Sequence, residues 1–222
     1  MPVEFSALQV AFVLFAVVIA GVLQGSLGFG FSFIAVPAMT LVEPRALPVT
    51  IIMVSLPVTI FMAHRERASV DAGGLLVLTA GRMVGTVAGL WVLTLMSPND
   101  MAAFTAGAIL AAVATSILVS EPRSDTTTRL VAGMFSGAMG TAAALGGPPL
   151  ALAYQSQPGP VVRSTLAVSF LVGSAMSLTG LIAVGRVALW HVQAAAFLLL
   201  PAMLGLLLSK HTIRWVDAGW LR

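Results

Sequence analysis

The chain has 222 residues, of which 59% are hydrophobic and only 9% charged, with a formal net charge of +3. A soluble domain carries about 25% charged residues, so water is not the only solvent this surface meets. The complete lack of cysteine excludes a disulfide scaffold, a thiolate metal site and a cysteine nucleophile.

Long uncharged runs set the class. No Asp, Glu, Lys or Arg lies between Glu4 and Glu43, Arg45 and Arg65, Asp100 and Glu121, Arg129 and Arg163, or Arg163 and Arg186. A membrane-crossing helix needs about 20 mostly apolar residues, and each run can supply one. The N-terminus lacks the basic stretch and cleavage site of a signal peptide. The sequence therefore reads as an all-α polytopic membrane protein whose first partner is the lipid bilayer. No basic cluster is interleaved with aromatics, so no nucleic-acid partner is expected.

Seven apolar segments are predicted, at 6–42, 46–63, 72–96, 99–119, 129–157, 161–184 and 188–209. As one straight helix the first would run roughly 55 Å at 1.5 Å per residue, against a hydrocarbon core of about 30 Å. It must tilt, break or turn back. The expected break is Gln24-Gly25-Ser26-Leu27-Gly28-Phe29-Gly30-Phe31-Ser32, with Pro37 beyond. Backbone groups freed there must be buried in protein or line a wet cavity. Segment three follows the cap residue Asp71. It carries Gly81, Gly85 and Gly89 at four-residue spacing, a helix-packing stripe. Ser97-Pro98-Asn99-Asp100 offers a cap and a first-turn proline for segment four. Asp125 and three threonines precede segment five, which has its own break between Gly140 and Pro149. Gln157-Pro158-Gly159-Pro160 forms the next turn. Trp91, Trp190, Trp215 and Trp220 read as interfacial anchors.

A shift of about 116 residues superimposes Gly30 on Gly146, Pro44 on Pro160 and Gly89 on Gly205. This predicts two repeats, 1–120 and 121–222, with four and three segments and a Gly/Pro-broken first helix in each. Interrupted hydrophobic segments in matching positions point to a transporter binding site. The alternative is that both are glycine-rich packing faces.

These residues resemble the sulfite exporter TauE/SafE family of bacterial anion permeases. The first-half match is Gly21-Val-Leu-Gln24-Gly25-Ser-Leu-Gly28-Phe-Gly30, continuing to Pro37. The second-half match is Gly133-Met-Phe-Ser136-Gly137-Ala-Met-Gly140, continuing to Gly146-Gly147-Pro148. Gly81-Arg82-Met-Val-Gly85-Thr-Val-Ala-Gly89, Pro201-Ala-Met-Leu-Gly205 and His211-Thr-Ile-Arg214 extend the likeness over essentially the whole chain. The resemblance implies a two-repeat permease in the bacterial inner membrane. It would export sulfite, sulfonates or related small organic anions, with homo-oligomers an open option. It also implies an eighth hydrophobic segment, following the stretch that ends at Arg222.

Arg82 falls near the middle of segment three, where a charge costs roughly 2.5–3.5 kcal/mol on insertion scales. Its guanidinium suits an oxyanion; snorkelling or pairing with freed carbonyls is the alternative. Substrate-binding candidates at the two breaks are Gln24, Gly25, Ser26, Gly28 and Gly30 in the first half. In the second they are Ser136, Gly140, Gly146, Gly147 and Pro148. Ser32 and Thr141 add neutral donors, and interhelical hydrogen bonding is the competing role for all of the polar ones. Arg45 and Arg163 follow comparable turns and are candidate entrance charges, or topology signals. Counting seven crossings places five arginines or lysines on each side. Setting Arg45 and Arg163 aside puts the N-terminus in the cytoplasm.

All eight acids lie at segment ends or in loops, so the intramembrane carboxylate of a proton relay is missing. Export driven by membrane potential is the expectation, worth about 4.6 kcal/mol per 100 mV for a dianion. His-Glu-x-x-His, paired intramembrane aspartates and Gly-x-x-x-x-Gly-Lys are all absent. No enzyme, cofactor, metal site or ATP-driven pump is therefore expected. A non-transporting assembly subunit and an anion channel remain as alternatives.

Overall fold

The structure, a computed structural model, describes residues 5–96, 98–118 and 125–217. All regular structure among them is helical: nine α-helices and two short 3-10 turns. The helices are α1 (Ala7–Leu27), α2 (Phe31–Val42), α3 (Val49–Arg65), α4 (Ala72–Leu95), α5 (Pro98–Leu118), α6 (Thr126–Ala143), α7 (Gly147–Tyr154), α8 (Gly159–Ala183) and α9 (Leu189–Asp217).

Each predicted segment corresponds to one helix or one broken pair. The first becomes α1 and α2, and the fifth becomes α6 and α7. Asp71 and Asp125 cap as expected, accepting from the Gly74 and Thr128 N–H at 2.9 and 2.8 Å. The cap expected at Ser97, the anchor Trp220 and the side chain of Trp215 lie outside the described residues. The four helices α1, α4, α8 and α9 (over Leu189–Ile213) are long and apolar enough to cross a membrane, while α2 and α3 are shorter apolar helices. Large apolar side chains such as Leu8, Phe15, Leu76, Trp91, Phe197 and Leu200 point outward. That outer face suits hydrocarbon, and with the long apolar helices it makes the chain a multi-pass membrane protein.

Two close helix pairs organise the bundle: α4 with α6, and α1 with α9. Small residues allow the approach. Gly81 faces Leu130 and Met134, and Gly89 faces Ala138 and Thr141, so α4 and α6 run in the same direction. Gly21 meets Ala202 and Gly25 meets Ser209, so α1 and α9 also run together. The expected glycine stripe is thus a backbone-to-backbone contact, in which van der Waals packing replaces a solvent-driven core. Between these pairs α3 crosses α8.

The ends of the bundle correct the expected arginine distribution. Because α2 returns alongside α1, Arg45 lies at the end where α1 begins, its carbonyl facing His191 at the start of α9. Arg186 is at that same end, donating to the Leu93 carbonyl at 2.8 Å. Arg65 and Arg163 lie at the opposite end around Glu66, and Arg129 is there beside Asp71. The sequence count treated segment one as a single crossing and so misplaced Arg45, Arg65, Arg67 and Arg129; the second turn-back, at α7, restores the count from Arg163 onward.

A Cβ at Gly85 would run into the Met134 carbonyl, whereas one at Gly107 on α5 would meet open space. Gly85→Val should therefore lower stability by about 1–3 kcal/mol, the usual cost of overpacking. Gly107→Ala should leave it unchanged or slightly raised. Thermal unfolding of the two variants in detergent, each compared with the parent chain, checks both.

Candidate anion site

The two helix breaks are built alike. α1 ends at Leu27 and α6 at Ala143; α2 begins at Phe31 and α7 at Gly147. The capping residue after α1 is Gly28, with φ 88°, and after α6 it is Ala144, with φ 58°. All three pairs of positions are 116 residues apart, the shift seen in the sequence. The left-handed turn is easy for glycine and unusual for alanine.

Side chains hold each break closed. Gln24 Oε1 accepts the Phe31 N–H at 3.1 Å, while its amide nitrogen donates to the Gly28 carbonyl at 3.4 Å. Ser136 Oγ donates to the Gly146 carbonyl at 2.6 Å. Arg65 reaches from the end of α3 to the Gly25 carbonyl at 2.7 Å. The breaks thus satisfy many of their freed backbone groups inside the protein, as a membrane requires.

Both tips border one small cavity of about 50 Å³. Gly30, Phe31 and Ser32 come from the first tip; Gly146, Gly147 and Pro148 come from the second. α3 contributes Ser55 and Thr59, and α8 contributes Phe170, Ser174 and Ser177. α4 contributes Arg82, the one formal charge among the described lining residues.

Arg82 is 3% exposed. Its guanidinium lies over the Phe170 ring, 5.5 Å from the centroid. The lack of a side chain at Gly173 makes room for it, since a Cβ there would overlap the guanidinium. Nε and Nη1 are buried with no hydrogen-bond partner, and no acid among the described residues forms an ion pair with Arg82. Cation–π attraction is worth about 2 kcal/mol when desolvated. An unpaired buried charge costs several kcal/mol, so the ring alone does not offset it. The guanidinium neither snorkels nor pairs with the freed carbonyls.

The remaining candidates divide. Gln24, Gly30, Gly140, Gly146, Gly147 and Pro148 border the cavity. Gly25 packs on Ser209 of α9, and Ser26 bonds to the Val22 carbonyl and to Thr212, because the helical phase turns both toward α9. Gly28 sits against the Arg163 backbone. Ser136 is spent on its tip, and Thr141 bonds to Ser177 at 2.7 Å. Arg45 and Arg163 lie at opposite ends of the bundle. Arg45 is exposed and bridged to Glu43, whose carboxyl that side-chain hydrogen bond holds below its usual range. Arg163 is buried at the other end, 3.4 Å from Glu66. Sequence reasoning missed Ser55, Thr59, Ser174 and Ser177. Hydroxyls three or four residues apart in uncharged stretches of sequence were the available signal.

This arrangement defines a class: a multi-pass membrane protein with broken helices converging on a buried cation. Comparison with protein-family models makes the family explicit. Residues 13–222 match the model described as Sulfite exporter TauE/SafE, and the chain belongs to that family. Its members are transporters of sulfite-like anions rather than enzymes. Comparisons with curated proteins and with solved structures gave no match.

Ala144 occupies a backbone region that costs an L-residue about 1–2 kcal/mol. Ala144→Gly should raise stability by up to about 1 kcal/mol, allowing for the greater freedom of glycine in the unfolded chain. Denaturation of the purified variant would show this as a higher midpoint; a lower one would contradict the backbone account.

Proposed function

We propose that the chain exports a small sulfite-like anion through the cavity at Arg82. The observation that carries this reading is the buried guanidinium without a protein partner, placed where the two broken helices meet. An anion entering the cavity supplies the missing countercharge, and the planar fork of N–H donors matches an oxyanion.

The chain is read as two repeats of opposite orientation. Three features support this: the 116-residue register of both breaks, the equivalent pairing of α1 with α9 and α6 with α4, and the opposed directions of α1 and α6. Inverted repeats around a midplane site suit alternating access, in which one half rocks against the other. Among the described residues, Arg65, Arg67, Arg129, Arg163 and Lys210 lie at or beside the end opposite the start of α1, against Arg45 and Arg186 at the other. The positive-inside rule then puts that richer end in the cytoplasm of a bacterial cell and the N-terminus outside. Each negative charge leaving an inside-negative cell gains about 2.3 kcal/mol per 100 mV, so the membrane potential suffices to drive export.

Proteoliposomes loaded with labelled sulfite test the reading. Efflux should saturate with substrate, rise with an inside-negative potential and fall at least tenfold in Arg82→Leu. Efflux equal in the parent chain and in a folded Arg82→Leu protein would refute the site.

A further inference from the structure

We infer that the cavity takes its ligand with a single negative charge, as an oxyanion of about four or five heavy atoms. The inference rests on the reading of this cavity as the anion site, and deepens it by naming the charge state and size of the substrate.

Charge is the first constraint. Arg82 supplies one positive charge, and no second cation is present among the described lining residues. A monoanion forms a neutral pair with it. A dianion leaves one negative charge in a place shielded from water, and such a charge is tolerated only where many hydrogen-bond donors replace its hydration.

Those donors are largely committed elsewhere. Thr59 donates to the Leu56 carbonyl and Ser55 to the Ile52 carbonyl, both at 2.9 Å. Ser174 is 3.2 Å from Ser55, and Ser177 is paired with Thr141. At the first tip the Phe31 N–H goes to Gln24, and the Phe33 N–H goes to the Gly30 carbonyl at 3.1 Å. At the second tip α7 opens Gly147-Pro148-Pro149, and the two prolines have no N–H to offer. The unspent donors are those of the guanidinium, with Nε and Nη1 unpartnered, and the neutral donors of Ser32 and Gly147 at the two tips. Only the guanidinium among them carries charge, so the set neutralises one negative charge and leaves a second to a few neutral donors.

Size is the second constraint. A water needs about 10–15 Å³ measured in this way, so about 50 Å³ holds a few waters or one compact oxyanion. A sulfonate with an extended organic tail exceeds it. For a ligand that titrates, such as sulfite, the species carried is then the singly protonated anion.

Methanesulfonate and sulfate provide the test, being tetrahedral, nearly equal in size and fixed at one and two charges at neutral pH. Calorimetric titration of each into the purified chain in nanodiscs, at matched ionic strength, should show methanesulfonate binding at least tenfold more tightly. Arg82→Gln, confirmed as folded by its elution profile and helical circular dichroism, should lose methanesulfonate binding at least tenfold. Ser174→Lys, which brings a second positive charge to the cavity, should narrow or reverse the preference. Equal or tighter binding of sulfate by the parent chain would overturn the charge assignment while leaving the anion site intact. Binding of neither anion by the parent chain would overturn the anion site, and the charge assignment with it. Comparing the two anions on the parent chain decides the question even where a variant fails to fold.

Discussion

A hydrocarbon solvent offers no hydrogen bonds, and this one constraint shapes the molecule. Wherever a helix breaks inside the bilayer, its freed N–H and C=O groups must find partners within the protein. This chain breaks two helices, at Gly28–Gly30 and at Ala144–Gly146. Gln24, Ser136 and Arg65 answer several of the loose backbone groups there. Such breaks cannot face lipid, so they face one another. The cavity between them follows from that requirement, and so does the wrapping of each broken pair by a long neighbour, α9 for the first and α4 for the second.

Close helix approach then sets where the charge sits. Gly81 and Gly85 bring the α4 backbone against α6, and Arg82 lies between them in sequence, on the side that faces α8. Gly173 leaves room for its guanidinium, and Phe170 supplies a π face in place of an acid. The polar networks with carboxylates are at the bundle ends: Glu66 with Arg65 and Arg163, and Asp71 with Arg129 and Tyr154. The described acids in these networks thus meet arginines at the periphery, while Arg82 at the centre has no counterion among them. That gradient is what a carrier of anions requires, since an internal countercharge would compete with the substrate.

Much of this was legible in the sequence. Uncharged runs located the helices to within a few residues, and Gly28, Gly30 and Gly146 marked the breaks, because backbone freedom is written in glycine and proline. Arg82 stood out because a charge in an apolar helix needs a reason. Helical phase was harder to read. Gly25 and Ser26 belong to the same motif as Gln24, yet face α9, and nothing local says which face meets the partner. Ser55 and Ser174 come from helices far apart in sequence, so their meeting depends on the α3–α8 crossing. The end at which Arg45 lies was misjudged for a related reason, since the reversal of chain direction at α2 returns the chain to the end where α1 begins.

Whether the buried, unpartnered guanidinium of Arg82 meets an anion is decided most directly by locating that anion. Selenite is a close chemical mimic of sulfite and scatters anomalously, so diffraction from crystals grown with it locates the ion directly. A selenium peak is expected within hydrogen-bond distance of the Arg82 guanidinium, between the tips carrying Gly30 and Gly146. A fully occupied selenium site elsewhere in the molecule, with the Arg82 cavity empty, would contradict that role for Arg82.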